Sequence, residues 1–149
     1  MHYKILHEKE GQRTFAIVLE TDEEVLDVLQ SFVERHAITA AQFTAIGALR
    51  DVELMYFDWQ EKDYLHIPVR EQVEVASLIG DVAEGTSGGP TLHCHIVIGK
   101  SDGTAMAGHL GEAHVRPTLE VILTESPVHL RKIKDPQTGL ALIRPKATQ

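Results

Sequence analysis

The apolar positions change period twice along the chain. Thr14 to Leu19 reads as a short strand. At Thr21 the period lengthens: Val25, Val28, Leu29 and Phe32 recur at helical spacing, and Leu26 and Val33 widen the stripe. One amphipathic helix is predicted there, running to about His36. Thr21 and Glu24 have the spacing of a capping box, which would start the helix at Thr21. Beyond the helix the pattern is that of strands: Gln42–Leu49, Val52–Phe57, Tyr64–Val69, Val73–Ile79, Thr91–Ile98, Thr104–Leu110 and Thr118–Leu123. Tyr64–Val69 and Val73–Ile79 look like a pair, with Pro68 pushing the first towards a sheet edge. Gly85–Pro90 reads as an exposed loop, and Asp135–Gly139 as the turn of a terminal hairpin. One helix among many strands, without βαβ alternation, predicts an α+β domain with a mainly antiparallel sheet. A length of 149 residues suits one domain.

Apolar residues stand on both faces of some strands. Leu54 and Tyr56 alternate with Met55 and Phe57, and Val121 and Ile122 point opposite ways. A single short helix cannot cover such a sheet, so burial between subunits is expected. A second helix near Asp58–Tyr64 would be the alternative cover.

Charge narrows the partners. The formal net charge is −8 with histidine neutral, which opposes binding to a polyanion. The basic residues that do gather, Arg131, Lys132, Lys134, Arg144 and Lys146, read as a solvated stretch. No apolar run reaches the ~18 residues of a membrane span, so no membrane association is expected. Met1–Gly11 lacks the apolar centre of a secretory signal, and the lone Cys94 forms no intrachain disulfide. A cytoplasmic protein is expected.

The nine histidines are unevenly placed, with four of them at His93, His95, His109 and His114. In the strand around His93-Cys94-His95 side chains alternate, so both histidines share a face and Cys94 takes the other. Ser101-Asp102-Gly103 has the form of a three-residue hairpin loop with Gly103 in the left-handed position. Closing it pairs Lys100 with Thr104 and, counting back, Ile98 with Met106, Ile96 with Gly108 and His95 with His109. One turn thereby gathers three imidazoles on one patch. A loop one residue longer would send His109 to the opposite face. Three imidazoles suit zinc, or another divalent transition metal, and leave a coordination position for water or a small molecule. The bland alternative is three polar-face histidines of an ordinary sheet. His114 is a weaker fourth ligand candidate. Glu74, Glu112 and Glu120 are the candidate supporting carboxylates or proton acceptors.

Several stretches together resemble the PPC domain of prokaryotic single-domain proteins and plant nuclear proteins. They are Thr44-Ala-Ile-Gly-Ala-Leu49, Val52–Asp58, Glu74–Gly80, His93-Cys-His-Ile-Val97, Gly108-His-Leu110, Thr118–Ile122 and Thr138-Gly-Leu140. The resemblance implies a trimer of α+β protomers, with a metal-binding histidine set that maps onto His93, His95 and His109. It also implies a DNA-binding label, and a fold like that of zinc enzymes such as acetolactate decarboxylase. Such likeness of fold cannot fix a reaction. This chain has Ala107-Gly-His-Leu110 where the family often has Gly-Gly-His-Leu, and Gly80-Asp81 where it often has Gly-Asn. The Arg-Gly-Arg-Pro hook of the plant proteins is missing. Three functions therefore stand side by side: a metal-binding protein acting on a small molecule, a DNA-binding regulator, and a trimeric ligand-binding module with structural metal.

Overall fold

The computed structural model describes residues 1–145. In chain order the elements are β1 (His2–Lys9), β2 (Gln12–Glu20), α1 (Val25–Arg35), β3 (Ala40–Asp58), β4 (Asp63–Val69), β5 (Val73–Glu84), β6 (Pro90–Gly99), β7 (Ala105–Glu125), β8 (Lys132–Lys134) and β9 (Ala141–Ile143). The α+β class is as expected, with one helix among the described residues. No helix there is long and apolar enough to cross a membrane.

Seven strands form one antiparallel sheet in the order β1-β2-β7-β6-β5-β3-β4, and β3 also pairs with β7. That extra pairing closes a circuit through β3, β5, β6 and β7. β6 and β7 pair only over His95–Gly99 and Ala105–His109. Farther along, β7 turns to β3 and then also pairs with β2. α1 packs against β6 and β7, with Gln30 Nε2 donating to Pro90 O at 2.9 Å. Its buried stripe is Val25, Leu29, Phe32 and Val33, and Phe32 meets Phe15 edge-on at 5.2 Å. Inside the circuit, Phe43, Leu49, Leu78, Val82, Ile96 and Ile98 are buried. Fully burying such side chains is worth about 1.5–3 kcal/mol each against leaving them in water.

Three expectations need correction, and one alternative is excluded. The helix begins at Val25, one turn later than the capping box implied, and its N-cap is Glu24 itself, whose Oε2 accepts from Asp27 N at 2.6 Å. Residues 21–24 are held by β7 instead. Thr21 Oγ1 donates to Pro117 O, Asp22 N to Val115 O, and Ala113 N to Glu24 Oε1. Tertiary hydrogen bonds outcompete a local cap here. Next, the segments 64–69 and 73–79 do not pair with each other. β4 pairs with the far half of β3, and β5 with its near half. Third, β3 and β7 are single long strands bent by bulges, so the expected breaks near Arg50 and after Leu110 are irregularities inside a strand. The alternative of a second helix near Asp58–Tyr64 is excluded, because that segment is the turn of the β3–β4 hairpin. β1, which the polar N-terminal sequence concealed, pairs with β2 as an edge strand. β4, with Pro68, is the other edge, as expected.

Three of the basic C-terminal residues are engaged by carboxylates. Arg131 pairs with Glu84 at 2.9 Å, Arg144 with Asp135 at 3.0 Å and Lys132 with Asp81 at 3.4 Å, while Lys146 lies outside the described residues.

Candidate metal centre

The hairpin between β6 and β7 has the expected register. Lys100 N donates to Thr104 O at 2.9 Å, and Gly103 occupies the left-handed region at φ 84°. Asp102 Oδ1 accepts from Thr104 N and Thr104 Oγ1, which braces the turn. From there Ile98 pairs with Met106, Ile96 with Gly108 and His95 with His109. Cys94, Ile96 and Ile98 point into the core, so His93 and His95 must point outward. Gly108 sits against β3, where an added Cβ would stand 2.8 Å from Met55 O. The adjacent His109 therefore lies at a three-strand junction, paired with His95 on one side and Met55 on the other.

The three rings are mutual neighbours. Centroids lie 4.1 Å apart for His95–His109, 5.1 Å for His93–His109 and 5.2 Å for His93–His95. One ligand nitrogen from each falls within 4.8 Å of the others, a grouping that could hold a metal ion. Nitrogens bound at 2.0–2.1 Å to a tetrahedral zinc stand about 3.4 Å apart. Small side-chain rotations close that difference, so the donor set fits a zinc-like ion. Electrostatics agree with neutral, lone-pair-bearing imidazoles at His95 and His109. Burial and then the neighbouring His93 lower the pKa of His95, and burial followed by His95 and His93 lowers that of His109. A metal ligand must be deprotonated, and both shifts favour that form.

Two contacts to the cluster escaped sequence reasoning. Asp81, opposite His93 in the β5–β6 register, places Oδ2 3.2 Å from His93 Nδ1. Burial alone would raise the Asp81 pKa, but the hydrogen bond with His93 and the charges of Lys132 and His93 outweigh it and hold the carboxyl below its ordinary value. The signal lay in the alternation of β5, since Ile79 and Asp81 share a face and stand opposite His95 and His93. The Tyr64 hydroxyl lies 3.3 Å from His109 Nε2, and burial raises the pKa of that phenol. Tyr64 belongs to a separate edge strand, so only the β3–β4 pairing brings it there.

Among the described residues, Glu74, Glu112 and Glu120 make no hydrogen bond or ion pair with the triad. Glu74 pairs across to Ala48 and Gly99, at the opposite end of β5 from Asp81. Glu120 sits between Val18 and Ile46, and Glu112 lies 3.7 Å from His114 Nε2. His114 itself is engaged by Asp51 at 2.7 Å, away from the cluster. Cys94 is buried, with its thiol pKa pushed up to about 12, first by burial and then by the charges of Asp81 and Glu24. It is no thiolate nucleophile or ligand.

The fold and the cluster together define an antiparallel β protein with one helix among the described residues and a cross-strand histidine triad. Residues 6–127 match the family profile described as the Plants and Prokaryotes Conserved (PCC) domain, and the chain belongs to that family. Solved structures agree. A metal-containing protein from Archaeoglobus fulgidus is 30% identical, with 97% of this chain and 99% of that one covered and a TM-score of 0.81. A plant- and prokaryote-conserved protein from Pyrococcus horikoshii is 27% identical, covering 99% and 97%, with a TM-score of 0.83. A protein from Bacteroides thetaiotaomicron, provisionally described as DNA-binding, is 25% identical, covering 95% and 96%, also at 0.83. No curated protein matches the chain.

Proposed function

We propose that this protein binds one divalent transition metal ion, best zinc, through His93, His95 and His109, and offers the remaining coordination position to a small-molecule ligand. The observation that carries the reading is the direct cross-strand opposition of His95 and His109, with His93 on the same face. Three neutral imidazoles are a borderline-soft donor set suited to zinc and its neighbours. The metal would supply Lewis acidity at the open position. The protein's part is to hold the donors on a rigid sheet, with Asp81 fixing His93 and Tyr64 beside His109. The metal-containing description of the Archaeoglobus relative supports the same reading. No reaction is assigned, because no carboxylate other than Asp81 contacts the triad among the described residues.

The protomers assemble as a homotrimer in this proposal. Ile79 and Ile122 flank Thr44 from the two neighbouring strands, and Ile46 follows two residues along β3 on the same face. These isoleucines are 60%, 44% and 61% exposed, a contiguous apolar patch that calls for cover. The number three rests on the family resemblance, and a cytoplasmic location belongs to the same proposal. The DNA-binding description of the Bacteroides relative is not carried over, because the acidic balance and the paired C-terminal cations oppose it.

Elemental analysis of protein prepared without chelator tests the metal. One ion per protomer is expected, with His95→Ala losing it while the strand signal in circular dichroism stays. Metal no higher than in the buffer would refute the reading.

A further inference from the structure

Lys132 is the one buried charged residue among the described residues, with its side chain only 6% exposed. A buried ammonium needs a counter-charge, and the carboxylate that meets it is Asp81, whose Oδ1 lies 3.4 Å from Nζ. That Oδ1 is buried and has no hydrogen-bond partner, so the contact is an ion pair without hydrogen-bond alignment. The other oxygen of the same carboxylate, Oδ2, meets His93 Nδ1. The backbone around Lys132 is anchored beside β5. Glu84 N donates to Leu130 O at 2.8 Å, Glu84 Oε2 accepts from Arg131 Nε, and Arg144 N donates to Arg131 O at 3.1 Å. This segment lies beyond residues 6–127, the stretch shared with the family profile.

We infer that Lys132, carried on the C-terminal β8–β9 hairpin, is a positioning residue for the metal centre, acting through Asp81 on His93. The inference rests on the metal-binding reading and adds to it the element that holds one ligand in place. The linkage is geometric. An ionised carboxylate can only accept, so a hydrogen bond between Asp81 Oδ2 and His93 Nδ1 requires the proton on Nδ1. The lone pair is then on Nε2, the nitrogen left to face an ion. Asp81 can hold that tautomer only while its carboxylate keeps its orientation. Its second oxygen has one ionic restraint, the Lys132 ammonium. The requirement is conditional: an asparagine at position 81 would still accept from Nδ1 through its amide oxygen but would need no counter-charge.

Two measurements on the full chain test this, one with zinc and one without. In the metal-free protein, ¹⁵N shifts of labelled histidine should show His93 protonated on Nδ1. Protonation on Nε2 would overturn the inference, and this readout stands even if the protein binds no metal. With zinc and a chromophoric chelator as competitor, Lys132→Met should weaken affinity about 10–100-fold, the usual cost of losing a group that orients a ligand. Lys132→Arg, which keeps the charge, should recover most of it. In an Asp81→Asn background the same Lys132→Met change should alter affinity by no more than about twofold, the scatter of uncoupled sites. An undiminished loss in that background would mean that Lys132 acts on the fold alone, and would refute the inference. So would wild-type affinity in Lys132→Met. If wild-type protein fails to bind zinc, the metal reading falls, and the same ¹⁵N measurement on Lys132→Met decides the linkage: loss of the Nδ1 proton from His93 supports it, and an unchanged tautomer refutes it. If Lys132→Met does not fold, Lys132→Gln is measured in both backgrounds instead, with the same two outcomes deciding.

Discussion

Gly80 sits in β5 between Phe43 of β3 and Cys94 of β6, and Gly80→Ala is the substitution whose cost is most directly set by the surrounding packing. A Cβ built there would stand 2.2 Å from Phe43 Cζ, 2.6 Å from Cε1 and 2.7 Å from Cys94 Cβ. Phe43 and Cys94 are both buried, so neither has free space to retreat into. Carbon atoms in ordinary contact lie about 3.5–4.0 Å apart, so the ring must move by more than an ångström or β5 must separate from β6. Overpacking of this kind costs about 1–3 kcal/mol. With contacts this short the upper half of that range applies, about 2–3 kcal/mol, and the roughly 0.5–1 kcal/mol that alanine recovers over glycine within a strand leaves a net loss of about 1–2.5 kcal/mol. For a chain of this size that lowers Tm by roughly 2–10 °C at fixed protein concentration. Urea titration monitored by Trp59 fluorescence would read the change as a lower midpoint with an unaltered slope. Phe43→Leu removes the ring atoms that clash, so it should cost less in the alanine background than in wild type. An unchanged midpoint for Gly80→Ala, or strictly additive losses in the double variant, would refute the reasoning. Because Gly80 lies between the partners of His93 and His95, separation of the strands should also weaken metal binding.

Three further outcomes are expected. His95 and His109 have folded-state pKa values lowered from the ordinary 6.5, so the unfolded chain binds more protons over the interval between the two states. Their contribution is present above about pH 6.5 and is lost as pH falls through the lowered values. Denaturation midpoints of metal-free protein should fall over that range, less steeply in His95→Ala; a pH-independent midpoint would contradict this. No sequence-specific DNA complex tighter than about 10⁻⁶ M should form at physiological salt, and a sequence-dependent shift at nanomolar protein would sink that expectation. Light scattering after size exclusion should give three times the 16.5 kDa protomer mass, reduced by Ile79→Glu. A mass near 16.5 kDa for wild type would refute association, and a dimer mass would refute the trimer.

Local rules carried a good part of this protein. The β6–β7 register follows from a three-residue loop with glycine in the left-handed position, so the placement of His93, His95 and His109 on one patch was legible in the amino-acid sequence. The amphipathic stripe of α1, the edge position of the Pro68 strand and the terminal hairpin around Asp135 were legible for the same reason, since each depends on a few adjacent residues. Decisions taken by the tertiary structure concern partners distant in sequence. Thr21 fits a helix cap, yet β7 takes its neighbours' hydrogen bonds. Segments 64–69 and 73–79 are adjacent in the chain, yet both prefer the long strand β3, which offers an apolar partner to each. Glu74, Glu112 and Glu120 were reasonable carboxylates by type and spacing. Asp81 contacts the cluster because β5 runs beside β6 with residue 81 opposite residue 93. Lys132 reaches Asp81 because the C-terminal segment folds back along Glu84. Strand register is a pairing energy summed over two segments, and no single segment contains it.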